Sequence, residues 1–432
     1  MNVTGIIAEY NPFHNGHLYH LEEARRISGA DFCIAAISGD FVQRGEPAVF
    51  SKYLRAQAAL AGGADLVLEI PSLFATGSAE DFAACGVALL SSLGVTDTLC
   101  FGSECGSSEP LIKAAEFLAE EPAEFSALLR EEIKKGRTWP QARQAALLCL
   151  GLPLAADEGL LQSPNNILGL EYAKAILRQK SPLKLLSIPR RGKGYHEEGL
   201  EGGMASATGI RKELAACLKS QDGPKPGEGG AWSGLWNPAL ASQVPASALA
   251  LYRQAGPLFP EDFSALLNYA LLKLRQEGLR LEEYEGFSPD LSRRLDSQLL
   301  SFAGWEGRIR QLKTRQYTYT RLSRSLCHVL LGFRAGQYQE YRSLGYALYG
   351  RVLGFRRSAA PLLSAIGKKS SVPLVTKTAG YEKNLGPQAA ALLECDFYAS
   401  HLWQAVYAGR YGTLLPNEFS RPLAVLEDGR PL

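Results

Sequence analysis

The chain has 432 residues, a length that predicts two or three domains and a core large enough to fold without disulfide or metal staples. Apolar residues make up 46% and charged residues 21%, which excludes collagen, wholesale disorder and a coiled-coil rod. The net charge of +2 hides an asymmetry, because residues 301–380 hold fourteen Lys or Arg against two acids and the rest sums to about −10. This split favours a polyanion-binding module attached to a neutral or acidic body.

The eight cysteines are scattered and form no CxxC pair, so we expect reduced thiols and no zinc site. The amino terminus lacks a basic start followed by a cleavable apolar stretch, and no apolar run reaches the ~18 residues that a membrane span needs. We therefore expect a cytoplasmic protein without a membrane partner.

The first 110 residues alternate apolar runs with helical periodicity, as in a doubly wound parallel α/β sheet. Strands are predicted at 3–8, 32–37, 66–70 and 98–101, and helices at 18–28, 55–61 and 80–93. Such sheets bind ligands at the carboxyl ends of their strands. The loops at 9–17, 38–47, 71–78 and 102–108 are therefore expected to carry the chemistry.

Further along, the pattern predicts helices within 110–150, at 163–178 and at 209–218, and a fifth strand at 184–188. Residues 220–240 are rich in glycine and proline and are predicted to form a loop or linker. The prediction is thus a Rossmann-like parallel-sheet catalytic domain over 1–219, followed by a mainly α-helical basic domain over 241–432.

The sharpest local signal follows the first strand, where a proline turn leads into His14-Asn15-Gly16-His17 at a helix start. Helix amino ends present free N–H groups to phosphate, and two imidazoles there can donate to phosphate oxygens during displacement. Gly16 would let a nucleotide approach the backbone. Capping or surface histidines are the alternative interpretation. A metal site built from His14, His17 and His20 is disfavoured, because their spacing spreads the rings and no carboxylate or cysteine lies nearby in sequence.

HNGH after a first strand resembles the HIGH signature of the nucleotidyltransferase and class I synthetase superfamily, whose members bind ATP on a Rossmann-like sheet and release pyrophosphate. A second signature of that superfamily is a Ser/Thr/Lys-rich loop such as KMSKS or ISSTxxR. Ser206-Ala207-Thr208-Gly209-Ile210-Arg211 stands in that place. The resemblance implies that Thr208 and Arg211 hold the departing phosphates. Helix capping by Ser206 or Thr208 is a compatible alternative. The lysine of KMSKS is missing, so Arg211 must supply the charge.

The resemblance is closer than this superfamily. The strings GIIAEYNPFHNGHLYHL, SGDFVQRGEPAVFSKYLRAQAAL, FGSE, SPNNILGLEY and SATGIRKEL, over about residues 3–215, resemble the bacterial tRNA(Met) cytidine acetate ligase family. That family makes acetyl-adenylate from ATP and acetate and transfers the acetyl group to the 4-amino group of the wobble cytidine of elongator tRNA(Met). The implied partners are therefore ATP with Mg²⁺, acetate and this tRNA.

The resemblance also implies an ATP cradle, in which His14 and His17 are catalytic together with Thr208 and Arg211. Its members would be Ile7, Ala8, Glu9, Tyr10, Asn11, Pro12, Phe13, His14, Asn15, Gly16, His17, Leu18, Tyr19, His20, Gly102, Asn165, Asn166, Arg190 and Arg191, the last being the weaker of the two arginines. Each has a plainer alternative: a turn glycine for Gly102, helix capping for the asparagines and a solvated loop for the arginines. Mg²⁺ is expected to arrive with ATP, since no dedicated carboxylate cage is evident and no metal site is predicted.

The RNA contact is expected in the basic stretch 301–380, where cations suit phosphates and aromatics suit unpaired bases. The candidates are Arg315, Arg321, Arg324, Arg351, Arg356, Arg357, Lys368 and Lys369. A solvated helical face with core aromatics is the alternative.

Three questions stay open at this stage. The loop 38–47 either closes over the acetate or cytidine or forms a structural turn network around Arg44 and Glu46. A small-molecule adenylyltransferase acting on a phosphate ester explains HNGH and SATGIR equally well, although it does not explain the basic half. An RNA-binding protein that has lost catalysis is the third reading. The general base for amine attack and the oligomeric state are not predicted.

Overall fold

The computed structural model describes residues 1–120, 122–151, 163–190, 204–220 and 232–427. Its strands are β1 (Val3–Ala8), β2 (Phe32–Ser38), β3 (Phe41–Val42), β4 (Glu46–Pro47), β5 (Leu66–Ile70), β6 (Thr98–Ser103), β7 (Lys184–Pro189), β8 (Gly350–Arg356), β9 (Leu374–Val375) and β10 (Ala424–Leu426). Arg191 and residues 221–231 of the predicted linker lie outside the described residues.

The α-helices surround this sheet and fill the carboxyl-terminal half. They are α1 (Asn15–Ser28), α2 (Lys52–Ala61), α3 (Ser72–Ala75), α4 (Ala79–Ser92), α5 (Glu109–Ala119), α6 (Ala123–Lys134), α7 (Trp139–Cys149), α8 (Pro164–Arg178), α9 (Ala207–Ser220), α10 (Pro238–Ala241), α11 (Ala246–Tyr252), α12 (Ser264–Gln276), α13 (Pro289–Gln298), α14 (Trp305–Leu312), α15 (Tyr319–Leu331), α16 (Ala335–Ser343), α17 (Ala360–Lys369) and α18 (Pro387–Tyr411).

The predicted Rossmann-like sheet is confirmed. Its parallel part has the order β5-β2-β1-β6-β7, and Ile6 of β1 lies opposite Ala35 on one side and Cys100 on the other. The chain order reverses at β1, which makes the carboxyl end of this strand the switch point where such sheets bind ligands. The HNGH segment begins at that point.

Glycines let α4 lie close against β1. A Cβ on Gly5 of β1 would come within 2.6 Å of Leu90, and a Cβ on Gly86 of α4 would come within 2.5 Å of Ile7. Both approaches are too short for a real side-chain carbon, so these two positions need glycine for packing. The close packing fixes the strand that carries the site.

The carboxyl-terminal half also contributes strands, and the prediction of a separate, mainly helical domain over 241–432 needs correction. β8 pairs antiparallel with β5, and β9 and β10 pair parallel with β8, so the sheet extends beyond the first 219 residues. Val352 and Leu353 of β8 are fully buried on opposite faces. Because an uncovered β5 edge would leave backbone groups unpaired, the late strands complete the sheet.

The described part of the predicted linker is also packed. Leu235, Trp236 and Leu240 are buried, and the Trp236 ring stacks on Tyr252 with 5.7 Å between ring centroids. The glycine and proline content predicts an unpacked loop here. The apolar residues that follow the glycines and prolines are instead buried beside the sheet.

The loop 38–47 is mostly buried and contains the short β3–β4 hairpin. Gly45 has φ +74°, and a Cβ there would lie 2.3 Å from the backbone nitrogen of Arg324. Ser323 Oγ donates to the Gly45 carbonyl at 2.9 Å. The loop is therefore clamped against α15, and glycine is required at its tip both for the left-handed backbone and for the close approach.

Candidate active site

His14 and His17 are fixed by the backbone of the turn that they open. The N-cap residue of α1 is His14, whose Nδ1 accepts from the Gly16 N–H at 3.0 Å. In turn, the His14 N–H donates to His17 Nδ1 at 3.3 Å, and the two ring centroids are 3.8 Å apart. A neutral imidazole that accepts at Nδ1 carries its proton on Nε2. In both histidines Nδ1 therefore takes the capping role, and Nε2–H remains as a hydrogen-bond donor at the amino end of the helix.

Gly16 is needed for a reason that the sequence did not reveal. A Cβ at this position would come within 2.8 Å of His14 Cε1, so the space is filled by the folded imidazole. Any larger residue would displace the ring from the capping position. Glycine here thus orients His14, whereas the sequence predicted that it admits the nucleotide.

The three histidines of this segment are neutral at physiological pH. Burial, with Arg190 and Arg211 nearby, lowers the pKa of His14 to about 3. Burial and the neighbouring His14 lower the pKa of His17 well below its usual value, and burial with Arg190 lowers that of His20 to about 4. Neutral imidazoles donate to phosphate without adding a buried charge to a site that already holds guanidinium groups.

The second predicted motif docks directly on the first. Arg211 Nη1 donates to the Asn11 carbonyl at 2.7 Å, and Nη2 donates to Thr208 Oγ1 at 3.4 Å. Ser206 Oγ accepts from the Gly209 N–H at 3.2 Å and so caps the start of α9. The capping alternative therefore holds for Ser206, while Thr208 and Arg211 face the same cavity as the histidines.

The turn after β6 has a different organisation from the one predicted. Asn166 is 1% exposed, and its Oδ1 accepts from Ser103 Oγ at 2.8 Å and from the Glu104 N–H at 3.1 Å. Asn165 instead lines the cavity and donates to Glu104 at 2.6 Å. The predicted ATP contact of Asn166 is therefore wrong, because its amide oxygen is used to hold the turn.

The HNGH turn, the SATGIR segment and the turn after β6 enclose a cavity of about 220 Å³. This cavity lies at the carboxyl ends of the parallel strands. Predicted site residues that line it are Ile7, Ala8, Glu9, Tyr10, Asn11, His14, Gly16, His17, Tyr19, His20, Gly102, Asn165, Arg190, Thr208 and Arg211. Pro12, Phe13, Asn15 and Leu18 do not line it. Phe13 is buried in the core and Asn15 bonds to the Ser242 carbonyl, so these four support the turn.

Sequence reasoning missed part of the lining. Gln43 and Arg44 reach it from the tip of the 38–47 loop, and Phe82, Phe101, Leu168, Tyr172, Ile188 and Pro189 form an apolar wall. The wall comes from strand ends and helix faces whose sequence looks like ordinary core. Of the two interpretations of this loop, closure over the acetate or cytidine stays a prediction. Gln43 and Arg44 line the cavity, while most of the loop is buried.

The predicted RNA-binding cations lie at two opposite sides of the sheet. Some are near the carboxyl ends of the parallel strands, where the cavity is, and others are near the amino ends. Arg321 is exposed at the start of α15, the helix that clamps the 38–47 loop, and Arg315 is exposed just before it. Lys368 and Lys369 are exposed at the end of α17, where the Ser371 N–H donates to the Ser92 carbonyl before β6. The two ends of the strands are about 20 Å apart, because β1 has six residues and a strand rises about 3.3 Å per residue.

Arg351 and Arg356 make ion pairs and hydrogen bonds within the protein. Arg351 is 3% exposed and lies 3.2 Å from the carboxylate of Glu418, so its predicted RNA contact is wrong. Arg356 donates twice to the Leu60 carbonyl, at 3.0 and 2.7 Å, which ties β8 to α2. Arg324 is half-buried, and Arg357 is exposed with an ion pair to Glu427 at 3.4 Å.

Two further surveys cover the described ranges only. No group of three or more His, Cys, Asp or Glu side chains there is placed to hold a metal ion. No helix in this part of the chain has the length and apolar character needed to cross a membrane.

A sheet with its switch point at HNGH, a donor-rich helix start and an arginine docked on it defines a nucleotidyltransferase of the HIGH type. The model of the HIGH Nucleotidyl Transferase family matches residues 1–413. The tRNA(Met) cytidine acetate ligase of Acetivibrio thermocellus is 36% identical over 99% of this chain and 100% of its own length, and that of Caldanaerobacter subterraneus is 37% identical over 94% and 96%. A crystal structure of Thermotoga maritima TmcAL bound with alpha-thio ATP superposes with a TM-score of 0.85, at 30% identity and covering 99% of this chain and 100% of that one. This chain belongs to the tRNA(Met) cytidine acetate ligase family of HIGH nucleotidyltransferases.

Proposed function

We propose that this protein activates acetate as acetyl-adenylate and transfers the acetyl group to the 4-amino group of the wobble cytidine of elongator tRNA(Met), in the cytoplasm. The products are N4-acetylcytidine, AMP and pyrophosphate. The observation that carries the proposal is the direct contact of Arg211 with the HNGH turn, which brings both phosphate-binding motifs to one cavity. The names of the relatives support the choice of acetate and of this tRNA.

In the first step, acetate attacks the α-phosphorus of MgATP and pyrophosphate leaves. The Nε2–H groups of His14 and His17 donate to the α-phosphate oxygens as charge develops, together with the free N–H groups at the start of α1. Arg211 and Thr208 hold the departing phosphates. One such preorganised donor contributes about 10²–10³ in rate.

The adenosine is assigned to the opposite wall of the cavity. Gly102 is the last but one residue of β6 there, and the apolar Phe101 and Ile188 offer a surface for the base. Asn165 supplies polar atoms for the ribose or base, and Arg190 lies between this wall and the histidines. In this arrangement the nucleotide crosses the carboxyl edge of the sheet at its switch point.

The tRNA is assigned to the cavity edge of the sheet, where Arg321 is exposed on α15, the helix that contacts the 38–47 loop through Ser323, and Arg315 is exposed just before this helix. Lys368 and Lys369 lie at the other edge, about 20 Å away from the cavity. A tRNA that presents a loop base to the cavity would therefore contact the first pair and not the second.

The assay uses labelled acetate, ATP and the purified protein, with and without tRNA. The expected result is label in tRNA cytidine with stoichiometric AMP and pyrophosphate. Unlabelled tRNA, with ATP cleaved only when a phosphate ester is added, would replace this proposal by the adenylyltransferase alternative.

The RNA surface is tested by two matched double reversals, Arg315→Glu with Arg321→Glu and Lys368→Glu with Lys369→Glu. The first pair should weaken tRNA binding about tenfold or more and reduce its salt dependence, and the second should change both much less. Equal losses from the two pairs would refute the assignment to the cavity edge. Acetate-dependent ATP–pyrophosphate exchange without tRNA should stay normal in both.

A further inference from the structure

Glu9 is the one carboxylate among the described residues that line the cavity. It directly follows β1, and its Oε1 accepts from the Gln43 N–H at 3.0 Å. Its carbonyl accepts from Arg55 Nη1 at 2.5 Å, so both the backbone and the side chain of Glu9 are held. The 38–47 loop therefore fixes a carboxylate in the lining of a cavity whose other charged side chains are arginines.

Transfer of an acetyl group to cytidine needs a proton acceptor. The 4-amino group has low basicity, and it must lose a proton as it becomes an amide nitrogen. The cavity histidines are poorly suited to this role, because the pKa of His14 is lowered to about 3 and that of His20 to about 4 by burial. Arg44, Arg190 and Arg211 are cations, and burial raises the pKa of the Tyr172 phenol, which leaves it protonated.

We propose that Glu9 is the catalytic base of the second half-reaction, a role that rests on the proposed function. The amine nitrogen attacks the carbonyl carbon of acetyl-adenylate, the new C–N bond forms, and the C–O bond to phosphate breaks with its electron pair leaving on AMP. One amine proton passes to the Glu9 carboxylate and from there to solvent. Because Gln43 anchors Glu9, the 38–47 loop holds the base in place within the cavity lining.

The charged and titratable groups that surround Glu9 come from three elements. Glu46 on β4 and Arg55 on α2 act on it electrostatically, as does Tyr172 on α8. Glu46 is 8% exposed and lies outside the cavity lining, with Tyr319 as a hydrogen-bond partner. Glu46→Gln is therefore a control that removes a nearby carboxylate from outside the cavity lining.

The test separates the two half-reactions in the full-length protein. Acetate-dependent ATP–pyrophosphate exchange reports acetyl-adenylate formation, and single-turnover transfer from preformed acetyl-adenylate to tRNA reports the second step. In Glu9→Gln, exchange should stay within about threefold of the wild type, while transfer should fall about 10²–10⁴-fold. Glu9→Asp should recover part of the transfer rate, and Glu46→Gln should leave both steps within a few-fold.

Two results would overturn the proposal. If exchange falls as far as transfer, or needs much more Mg²⁺, Glu9 acts on the nucleotide or its metal and not on the amine. If transfer in Glu9→Gln keeps its rate, the amine proton goes to another group. A wild-type protein that makes acetyl-adenylate but labels no tRNA would instead refute the proposed function. The wild type is therefore measured before any variant.

Discussion

Two polar regions lie next to each other at the carboxyl edge of the sheet, and they differ in how their charges are balanced. In the described cavity lining, Arg44, Arg190 and Arg211 face one carboxylate, that of Glu9, beside neutral histidines. The second region, here called the Lys52 network, consists of Lys52, Glu69, Arg351 and Glu418, all at most 3% exposed.

The Lys52 network is complete within the protein. Lys52 Nζ lies 2.8 Å from Glu69 and 3.3 Å from Glu418, and Arg351 lies 3.2 Å from Glu418. Burial opposes the charge on Lys52, but Glu418 and Glu69 hold its pKa above the usual value. The cavity lining holds three arginines and one carboxylate, and Glu46 and Glu104 interact with these arginines from outside the lining. The Lys52 network is closed to solvent, whereas the cavity lining leaves polar groups facing an open space that a ligand can fill.

The largest expected effect is on stability. Lys52→Met leaves two buried carboxylates facing Arg351 alone, and we expect the free energy of unfolding to fall by about 3–5 kcal/mol, measured by urea denaturation. Arg26→Ala removes an exposed pair with Glu23 at 2.7 Å and should change the free energy of unfolding far less, because solvent screens this pair. Similar losses from both variants would show that burial of the network does not matter.

The next largest effect is on catalysis. His17→Ala removes one phosphate donor from the cavity and should lower the rate of acetate-dependent ATP–pyrophosphate exchange by about 10²–10³, with little change in the ATP KM. Asn15→Ala, in the same turn but outside the lining, should keep exchange within a few-fold. An equal loss in Asn15→Ala would mean that turn structure, and not phosphate contact, sets the rate.

A smaller effect links the cavity to acid stability. Burial, with Arg190, lowers the pKa of His20 to about 4 in the folded protein, so below pH 6.5 the unfolded chain binds a proton that the native state does not. Stability therefore falls as the pH falls from 6.5 towards 4. His20→Asn should remove about 2 kcal/mol of the loss between pH 7 and pH 5 in urea denaturation.

A non-hydrolysable ATP analogue provides the control for this measurement. Because phosphate charge stabilises a protonated imidazole, the bound analogue should reduce the acid loss of the wild type. The wild type and His20→Asn could instead lose the same free energy of unfolding between pH 7 and pH 5, with and without the analogue. That result would contradict His20 as the cause of the acid loss.

The smallest effect concerns the adenosine wall. In the described structure a Cβ at Gly102 would meet only Arg190, at 3.4 Å, so Gly102→Ala should leave the melting temperature unchanged. The methyl group projects towards the cavity and should raise the ATP KM about five- to tenfold, equivalent to about 1 kcal/mol. Gly169→Ala, whose Cβ would lie 2.2 Å from Phe101, should lower stability instead. An unchanged KM in Gly102→Ala would place the nucleotide elsewhere.

Much of the site could be predicted because its signals are local. The strands Val3–Ala8 and Leu66–Ile70 form where apolar runs predict them, and HNGH and SATGIR each carry their geometry in a few consecutive residues. The fold brings these two motifs together at Arg211 and Asn11, as the family resemblance implied.

The remaining features depend on distant residues. β8 forms by antiparallel pairing of Gly350–Arg356 with β5, about 280 residues earlier, and its glycines and arginines resemble a loop in sequence. The family resemblance assigns Asn166 to ATP, and the charge excess of residues 301–380 assigns Arg351 to RNA. Their burial depends on Glu418 and Ser103, which sequence reasoning could not place beside them.

The position of Glu418 also sets the order in which the sheet can be completed during synthesis. This residue accepts from Tyr53 and Ser400 and lies beside Lys52, although it follows Tyr53 by 365 residues. A growing chain therefore carries the HNGH segment long before β8 can pair with β5 and before Glu418 can join Lys52. The buried ion pairs of the Lys52 network thus form late, after most of the chain that surrounds them has been made.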